Sequence, residues 1–216
     1  MNYQQVYDKL EKSGQLHVLK YYEELTQEEK EALLAQVETL DFSMTASCKH
    51  KEELNQKGEI TPLSAMQLNE IAERKEEFMS AGIDAIRAGK VGAVLLAGGM
   101  GTRLGSDAPK GVYNIGLTKE VFIFQRLIEN LLDVVRQADA WIHLFVMTSD
   151  KNHEATVNFF REKDYFGYKP EYITFFMQEM APATDYEGRV YMEAKDKIST
   201  SPNGNGGWFS SMMKNK

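Results

Sequence analysis

Cysteine is almost absent from this sequence of 216 residues, which contains only Cys48. A single cysteine excludes an internal disulfide and a cysteine-rich metal site, so we interpret Cys48 as a small, partly buried hydrophobic residue. The first residues are polar, and no apolar run approaches the length that crosses a bilayer. Neither a signal peptide nor a membrane span is therefore predicted, and we expect a cytoplasmic protein without membrane contacts.

An excess of positive charge is also lacking, because the formal net charge is −7 at pH 7. Proteins that bind nucleic acids normally present a basic surface, so this charge argues against a nucleic-acid partner. Hydrophobic residues make up 43% of the chain, which is enough for a folded core. The composition therefore indicates a globular protein whose partners are not nucleic acids.

Two common glycine motifs are missing as well. No Gly-Lys-Ser or Gly-Lys-Thr triplet occurs in the chain, which excludes a P-loop. Gly99 and Gly101 have the first spacing of the dinucleotide-binding fingerprint, but Leu104 stands at its third glycine position. The glycines of this region must therefore serve a different kind of loop.

The chain is instead organised around residues 91–111, VGAVLLAGGMGTRLGSDAPKG. The apolar run that ends at Ala97 is typical of a buried parallel strand, and Gly98 begins a loop directly after it. Glycines allow backbone N–H groups to approach an anion closely, and Arg103 and Lys110 add two cations. We predict a polyphosphate site here, with an ordinary glycine-rich strand-to-helix turn as the alternative.

The rest of the chain divides by composition into a helical part and an alternating part. Residues 1–90 contain few glycines and are predicted to form a helical N-terminal segment. Residues 91–216 alternate apolar runs with amphipathic helices, which predicts an α/β fold with a mostly parallel sheet. Helix N-caps are expected at Thr26, where Glu29 completes a capping box, and at Ser64 and Thr118. The helix after Ser64 is expected to run to about Ala88, with Leu68 and Ile71 facing inward and Gly89 at its end. Residues 148–150 can cap a further helix at residues 151–163. Strands are expected at residues 91–97, 141–147 and 172–177.

Three polar features follow these expected strands directly. They are the glycine loop, the pair Thr148 and Ser149, and Gln178. Ligands of parallel sheets bind beyond the carboxyl ends of the strands, so these residues are expected at one site. A side-chain amide offers a donor and an acceptor, which suits the hydrogen-bonding edge of a nucleotide base, so Gln178 is the expected base reader. A polar residue that merely ends a strand is the alternative.

The segment LLAGGMGTRLG, followed by PKG, resembles the signature of the UDP-N-acetylglucosamine pyrophosphorylase and UDP-sugar pyrophosphorylase family. Members of this family are UTP-dependent sugar-1-phosphate uridylyltransferases. Further matches follow in order and extend the resemblance over about residues 91–210. They are FIFQ at 122–125, MTS at 147–149, FF at 159–160, YFG at 165–167, FFMQ at 175–178 and PNGNGG at 202–207. Asn203 departs from the pattern, because the family usually has Asp there.

The resemblance implies a Rossmann-like nucleotide-diphospho-sugar transferase domain and formation of a UDP-sugar and pyrophosphate. The expected substrates are UTP and a sugar-1-phosphate, either N-acetylglucosamine-1-phosphate or a hexose-1-phosphate. Arg103 and Lys110 are the catalytic candidates, with Arg103 at the β/γ-phosphates and Lys110 near the α-phosphate. Asn205 is expected to contact the ribose or the sugar. The expected nucleotide-binding residues are Leu96, Ala97, Gly98, Gly99, Gly101, Thr102, Gln178 and Gly204.

Plain structural roles remain as alternatives for several of these residues. Arg103 could pair with Asp107, and Lys110 could be a solvated loop lysine. Asn205 could be a simple turn residue. The protein could also be a non-catalytic nucleotide-binding module or a fragment, or a sugar nucleotidyltransferase that uses another base.

A triphosphate substrate implies Mg²⁺. The resemblance places the metal-binding aspartate beyond Lys216, so no metal ligand is expected within this chain. We therefore expect residues 91–216 to be the first, incomplete part of the transferase domain and the chain alone to be inactive. An open edge of the strand at residues 91–97 would then offer a route to self-association.

Overall fold

A computed structural model of the protein describes residues 1–43, 45 and 58–214. Cys48 lies outside the described residues. The described part contains seven α-helices and seven β-strands joined by turns and short 3₁₀ segments. The helices are α1 Tyr3–Ser13, α2 Gln27–Thr39, α3 Leu68–Glu73, α4 Lys75–Arg87, α5 Ile123–Ala138, α6 His153–Glu162 and α7 Trp208–Lys214. The strands are β1 Gly92–Leu96, β2 His143–Thr148, β3 Ile173–Met177, β4 Met180–Pro182, β5 Met192–Ala194, β6 Lys197–Ile198 and β7 Thr200–Pro202.

The main sheet consists of three parallel strands in the order β1-β2-β3. Gly92 pairs with His143 at one end of the first ladder, and Leu96 pairs with Met147 at the other. The connections run through α5 and through α6, as parallel neighbours require. The predicted α/β class and the positions of the three predicted strands are therefore confirmed, with ends that differ by one or two residues. The prediction that the first strand is buried is wrong, because β1 lies at the edge of this sheet and Val94 and Leu96 are exposed.

A hydrophobic core forms where α5 and α6 pack on this sheet. Apolar side chains recur on one face of α5, which produces the stripe that a helix needs to cover a sheet. Strand β2 lies between two partners and is the most buried of the three. The buried core residues are Phe124, Ile128, Leu132, Val135, Ile142, Leu144, Val146, Phe160 and Tyr168.

A strained turn leads from α6 towards β3. Four consecutive residues, Asp164 to Gly167, have φ between 47° and 78°, and three of them carry side chains. Left-handed backbone costs such residues on the order of 1–2 kcal/mol each. The aromatic rings compensate, because Phe166 packs 5.9 Å from Phe159 and 5.6 Å from Phe160, measured between ring centroids.

Helices α1 and α2 belong to a second compact unit, which contains Met1–Pro62 and Met180–Asn203. Two glutamine side chains join the N-terminal residues of this unit to its residues 180–203. Each side-chain amide donates to one backbone oxygen and accepts from one backbone N–H, as a neighbouring strand would. Buried Gln15 donates to the Gly188 oxygen at 2.7 Å and accepts from the Val190 N–H at 3.0 Å. Gln36 makes the equivalent pair with Asp196 and Ile198. The domain boundary that the sequence predicted at residue 90 stays a prediction. The compact unit that contains the parallel sheet begins at Leu63 and therefore extends across this position.

Two of the three expected helix N-caps are wrong. Thr26 caps α2, and Glu29 completes its capping box as predicted. Ser64 does not begin a helix, because α3 starts after Gln67 and Glu70 accepts from the Gln67 N–H. Thr118 lies in a turn before α5, whose N-cap is Phe122. Local capping patterns are short and recur by chance, so packing decides among them.

The single long helix that was expected after Ser64 is also wrong. The chain bends at Arg74, where φ is −105° and ψ is 19°, and α3 and α4 are separate helices. Leu68 and Ile71, which were expected to face inward, are 85% and 41% exposed. Gly89 follows α4 with a φ of +67°, as expected for a glycine that ends a helix.

No helix among residues 1–43 and 58–214 is long and apolar enough to cross a membrane.

Tyr168 makes the core sensitive to alkaline pH. Burial raises the pKa of Tyr168 to about 12 from the ordinary value of 10.0, and its hydroxyl donates to the Ile142 oxygen. The folded state therefore keeps the proton that the unfolded chain loses above about pH 10, and this contribution to stability declines as the pH rises from about 10 towards 12.

We expect urea unfolding between about pH 9 and pH 11 to lose less free energy of unfolding in Tyr168→Phe than in the wild type. Tyr191→Phe, at a side chain that is 53% exposed, is the control and should follow the wild-type slope. Equal slopes for wild type and Tyr168→Phe would contradict the role of this hydroxyl.

Candidate functional site

The carboxyl ends of the three parallel strands bring the predicted site residues to one edge of the sheet. The Ala97 N–H donates to the Met147 oxygen at 2.7 Å, which extends the first ladder by one residue. The Gln178 N–H donates to the Thr148 oxygen at 2.8 Å and extends the second ladder in the same way. The glycine loop therefore leaves the sheet at the same height as Gln178.

The glycine loop closes on itself through two backbone hydrogen bonds. The Gly101 N–H donates to the Ala108 oxygen at 2.8 Å, and the Lys110 N–H donates to the Gly99 oxygen at 3.1 Å. These bonds place the Pro-Lys-Gly segment beside the glycines, although it follows them in sequence by several residues. They also occupy the Gly101 N–H, so this group is not the free backbone donor that the sequence predicted.

A cleft of about 530 Å³ opens on this loop. Of the predicted site residues, Gly99, Gly101, Thr102, Arg103 and Lys110 line it, together with Met100 and Leu104. The other predicted residues do not line this cleft. They are Leu96, Ala97, Gly98, Gln178, Gly204 and Asn205.

Both cations of the cleft keep their charged groups available to a ligand. Arg103 and Lys110 are exposed, and neither forms an ion pair within residues 1–43 and 58–214. The alternative pairing of Arg103 with Asp107 is therefore not present in this structure. Two uncompensated cations beside a glycine loop form a surface suited to a polyphosphate.

Gln178 presents a buried amide without an internal partner. Its side chain is only 8% exposed, and no atom of the described part of the chain hydrogen-bonds its Nε2. Buried polar groups normally have a partner, so this Nε2 is a candidate donor to a ligand. The role of Gln178 as a base reader stays a prediction.

The same amide packs directly against the glycine loop. A Cβ atom on Gly98 would lie 2.6 Å from Gln178 Nε2, closer than real Cβ contacts allow. Gly98 is therefore glycine because Gln178 occupies the space of a side chain. Gly111 is also closely packed, since a Cβ atom there would lie 2.1 Å from the ring of Phe124 of α5. The loop is thus packed against a strand end and a helix.

The second glycine loop lies at the start of α7. Gly204 has a φ of +71°, and Asn205 begins the 3₁₀ turn Asn205–Gly207 that continues into α7. The Glu179 N–H, next to Gln178, donates to Ser211 Oγ of α7 at 3.0 Å. This bond attaches α7 to the end of β3, while the assigned roles of Gly204 and Asn205 stay predictions.

Sequence reasoning missed Asn152, which the structure places under the glycine loop. Its side chain is 1% exposed, and Nδ2 donates to the Ala97 oxygen at 2.9 Å and to the Gly99 oxygen at 3.3 Å. The only local signal was an asparagine in the polar run after β2. That run was interpreted as a helix cap formed by residues 148–150, whereas α6 begins after Asn152.

Comparison with known proteins agrees with this geometry. A family model described as UTP–glucose-1-phosphate uridylyltransferase matches residues 36–216. The chain belongs to this uridylyltransferase family.

Individual members of the family match along almost the whole chain. The chain is 34% identical to UDP-N-acetylglucosamine diphosphorylase 2 of Arabidopsis thaliana, over 99% of this chain and 46% of that protein. It is 33% identical to UDP-N-acetylglucosamine pyrophosphorylase of Saccharomyces cerevisiae, over 94% of this chain and 47% of that protein. The chain therefore spans about half the length of the curated relatives it matches.

A solved structure supports the fold assignment. The uridine diphosphate N-acetylglucosamine pyrophosphorylase of Trypanosoma brucei superposes with a TM-score of 0.78 at 29% identity. The match covers 98% of this chain and 45% of that one. The fold expected from the sequence resemblance is thereby confirmed.

The residues that line the cleft do not fit a Mg²⁺ ion held by the protein. Magnesium prefers carboxylate and other oxygen ligands, whereas the charged side chains lining the cleft are Arg103 and Lys110. Within the described ranges, no group of three or more His, Cys, Asp or Glu residues could hold a metal. Mg²⁺ stays a prediction from the family resemblance.

The contact between Gly98 and Gln178 leads to a prediction with a matched control in the neighbouring residue. Gly98→Ala should lower the free energy of unfolding by about 1 kcal/mol, because the new methyl group must displace the terminal amide of Gln178. Gly99→Ala should change it by no more than about 0.5 kcal/mol, since nothing lies within 4 Å of its Cβ position. Urea unfolding measures both values.

A double-mutant cycle identifies the contact itself. In a Gln178→Ala background the space beside Gly98 is vacated, so Gly98→Ala should cost less than it does in the wild type. Equal costs in both backgrounds, or equal costs for the two glycines, would show that this packing does not constrain the loop.

Proposed function

We propose that the cleft binds UTP and that the complete catalytic unit transfers its uridylyl group to a sugar-1-phosphate. The phosphate oxygen of the sugar-1-phosphate forms a new bond to the α-phosphorus, and the bond from the α-phosphorus to the β-phosphate oxygen breaks. The products are a UDP-sugar and pyrophosphate. N-acetylglucosamine-1-phosphate is the proposed acceptor, because the relatives cited above are named for UDP-N-acetylglucosamine.

One observation supports this proposal most directly. The unpaired, buried amide of Gln178 lies against Gly98 of the same loop that carries two free cations. A base reader beside a polyphosphate cradle is the combination that a nucleoside triphosphate requires. The amide would pair with the N3–H and a carbonyl of uracil, while the loop receives the phosphates.

The cations have distinct proposed roles. Arg103 carries a planar guanidinium that suits two phosphate oxygens, so we assign it to the β/γ end that leaves as pyrophosphate. Lys110 carries a point charge, and its backbone N–H donates to the Gly99 oxygen; we assign its side chain to the α-phosphate. Charge accumulates on these oxygens as the bond breaks, so fixed cations lower the barrier by electrostatic stabilisation.

A second candidate function is a nucleotide-binding module that does not catalyse transfer. The described cleft contributes cations and backbone groups but no cluster of metal ligands, which favours binding without turnover by this chain. A transferase that uses another base is the third candidate. Titration with UTP, CTP, ATP and dTTP decides the base, and turnover with UTP, Mg²⁺ and N-acetylglucosamine-1-phosphate decides whether the chain catalyses.

Arg103→Ala tests the polyphosphate assignment in the chain as it stands. We expect the affinity for UTP to fall by about tenfold or more, because a charged hydrogen bond contributes about 1.5–3 kcal/mol. Arg161→Ala removes the same charge from an exposed position on α6 and is the control. Isothermal titration measures affinity, and melting curves check folding. Equal affinities for both variants would refute the assignment of Arg103.

The free edge of β1 supports a further partner proposal. Strand β1 pairs with β2 and with no other strand of the described part, and Val94 and Leu96 are 37% and 43% exposed. Unpaired backbone groups and apolar side chains at a sheet edge promote association, so we propose that the isolated chain self-associates along β1.

Multi-angle light scattering should give a molar mass above the 24.6 kDa of one chain. Val94→Lys, which places a charge on the exposed side of the strand, should shift the mass towards that of a monomer. A monodisperse wild-type monomer would contradict the proposed association.

A further inference from the structure

Asn152 occupies the junction between the end of β2 and the glycine loop. It precedes α6 and is buried, and its Oδ1 accepts from the Ser149 N–H at 2.8 Å. Its Nδ2 donates to two carbonyl oxygens of the first strand end, those of Ala97 and Gly99. One side chain therefore satisfies groups on both segments, and every polar atom of its amide has a described partner.

The two accepting carbonyls fix the direction of two N–H groups. Every described peptide bond is trans, and in a planar trans peptide the C=O and the N–H point in opposite directions. The Ala97 oxygen shares its peptide with the Gly98 N–H, and the Gly99 oxygen shares its peptide with the Met100 N–H. When Asn152 holds both oxygens on one side, both N–H groups point to the other side.

Those N–H groups are available on that other side. Neither donates to an acceptor within residues 1–43 and 58–214. Met100 lines the cleft together with Arg103 and Lys110. Gly98 does not line this cleft itself and adjoins it through Gly99, which does. Two N–H groups on the same side of a glycine loop that also carries two cations can donate together to an anion.

We propose that Asn152 is a positioning residue that presents the Gly98 and Met100 N–H groups to the phosphates of the nucleotide. The proposal rests on the proposed function, because it specifies how that site receives a polyphosphate. Asn152 touches no substrate in this scheme. It acts by holding the backbone of the loop in the conformation that aims these donors.

Asparagine is the residue that this position requires. The amide must donate twice to carbonyl oxygens while its own oxygen accepts from Ser149. Aspartate retains the acceptor and loses both donors, whereas alanine loses all three bonds. Asn152→Asp therefore reports the effect of losing the two bonds to the loop. Comparison with Asn152→Ala adds the effect of losing the bond from Ser149.

The test uses Asn152→Asp, Asn152→Ala and the control Asn158→Asp. Asn158 is an exposed asparagine on α6, so the control adds the same charge to the same helix. The first measurement is hydrogen exchange of the Gly101 and Lys110 N–H groups without nucleotide. We expect faster exchange in both Asn152 variants, because the loop loses its attachment, and wild-type exchange in the control.

The second measurement is binding of UTP and of uridine. In both Asn152 variants the affinity for UTP should fall by about tenfold, the effect expected for losing one or two hydrogen-bond donors. Uridine affinity should stay as in the wild type, because the base reader is untouched. A structural defect alone would weaken both ligands together.

The outcomes separate this proposal from the proposed function. If neither Asn152 variant accelerates exchange or weakens UTP relative to Asn158→Asp, the positioning role is refuted. If both ligands weaken equally, the role of Asn152 is general stability, and the proposal is again refuted. If the wild type does not bind UTP, the proposed function fails for this chain, and with it the phosphate-presenting role; the exchange data then decide only whether Asn152 holds the loop.

Discussion

The register of three parallel strands is the constraint on which the site depends. Hydrogen bonds at Ala97 and Gln178 extend the two ladders by one residue each, so the glycine loop and the amide of Gln178 leave the sheet at the same level. A shift of one residue in either ladder would turn these side chains to the opposite faces of the sheet. The buried middle strand β2 fixes that register, because its apolar residues must face the packed helices.

Close packing, rather than a left-handed backbone, constrains the glycines at the two ends of the loop. Gly98 gives its side-chain space to Gln178, and Gly111 gives its space to Phe124. The backbone at Gly111, next to Lys110, therefore packs directly against α5. The backbone at Gly98, where the loop begins, packs against Gln178 at the end of β3. A loop held at both ends loses little entropy when it binds an anion, which favours a preformed phosphate site.

The fold and the position of the site were largely predictable, because both depend on local patterns. Apolar runs that end in glycine or polar residues located the three strands, and Thr26 with Glu29 located α2. Predictions that depended on partners distant in sequence were less successful. Leu68 and Ile71 were expected in a core, but their helical spacing does not specify which surface covers them. The pairing of Gln15 and Gln36 with residues 188–198 left no local signal at all.

The sequence by itself determined the fold class, the glycine loop with its two cations after the first strand, and the polar residues after the second and third strands. These features follow from periodicity, from backbone freedom and from charge, all of which are properties of short segments. Only the tertiary structure decided that the Gly101 N–H is used within the loop, that Gln178 lies unpaired against Gly98, and that Asn152 lies beneath the loop. The physical reason is that hydrogen bonds and steric contacts between residues tens of positions apart depend on how the strands and helices pack.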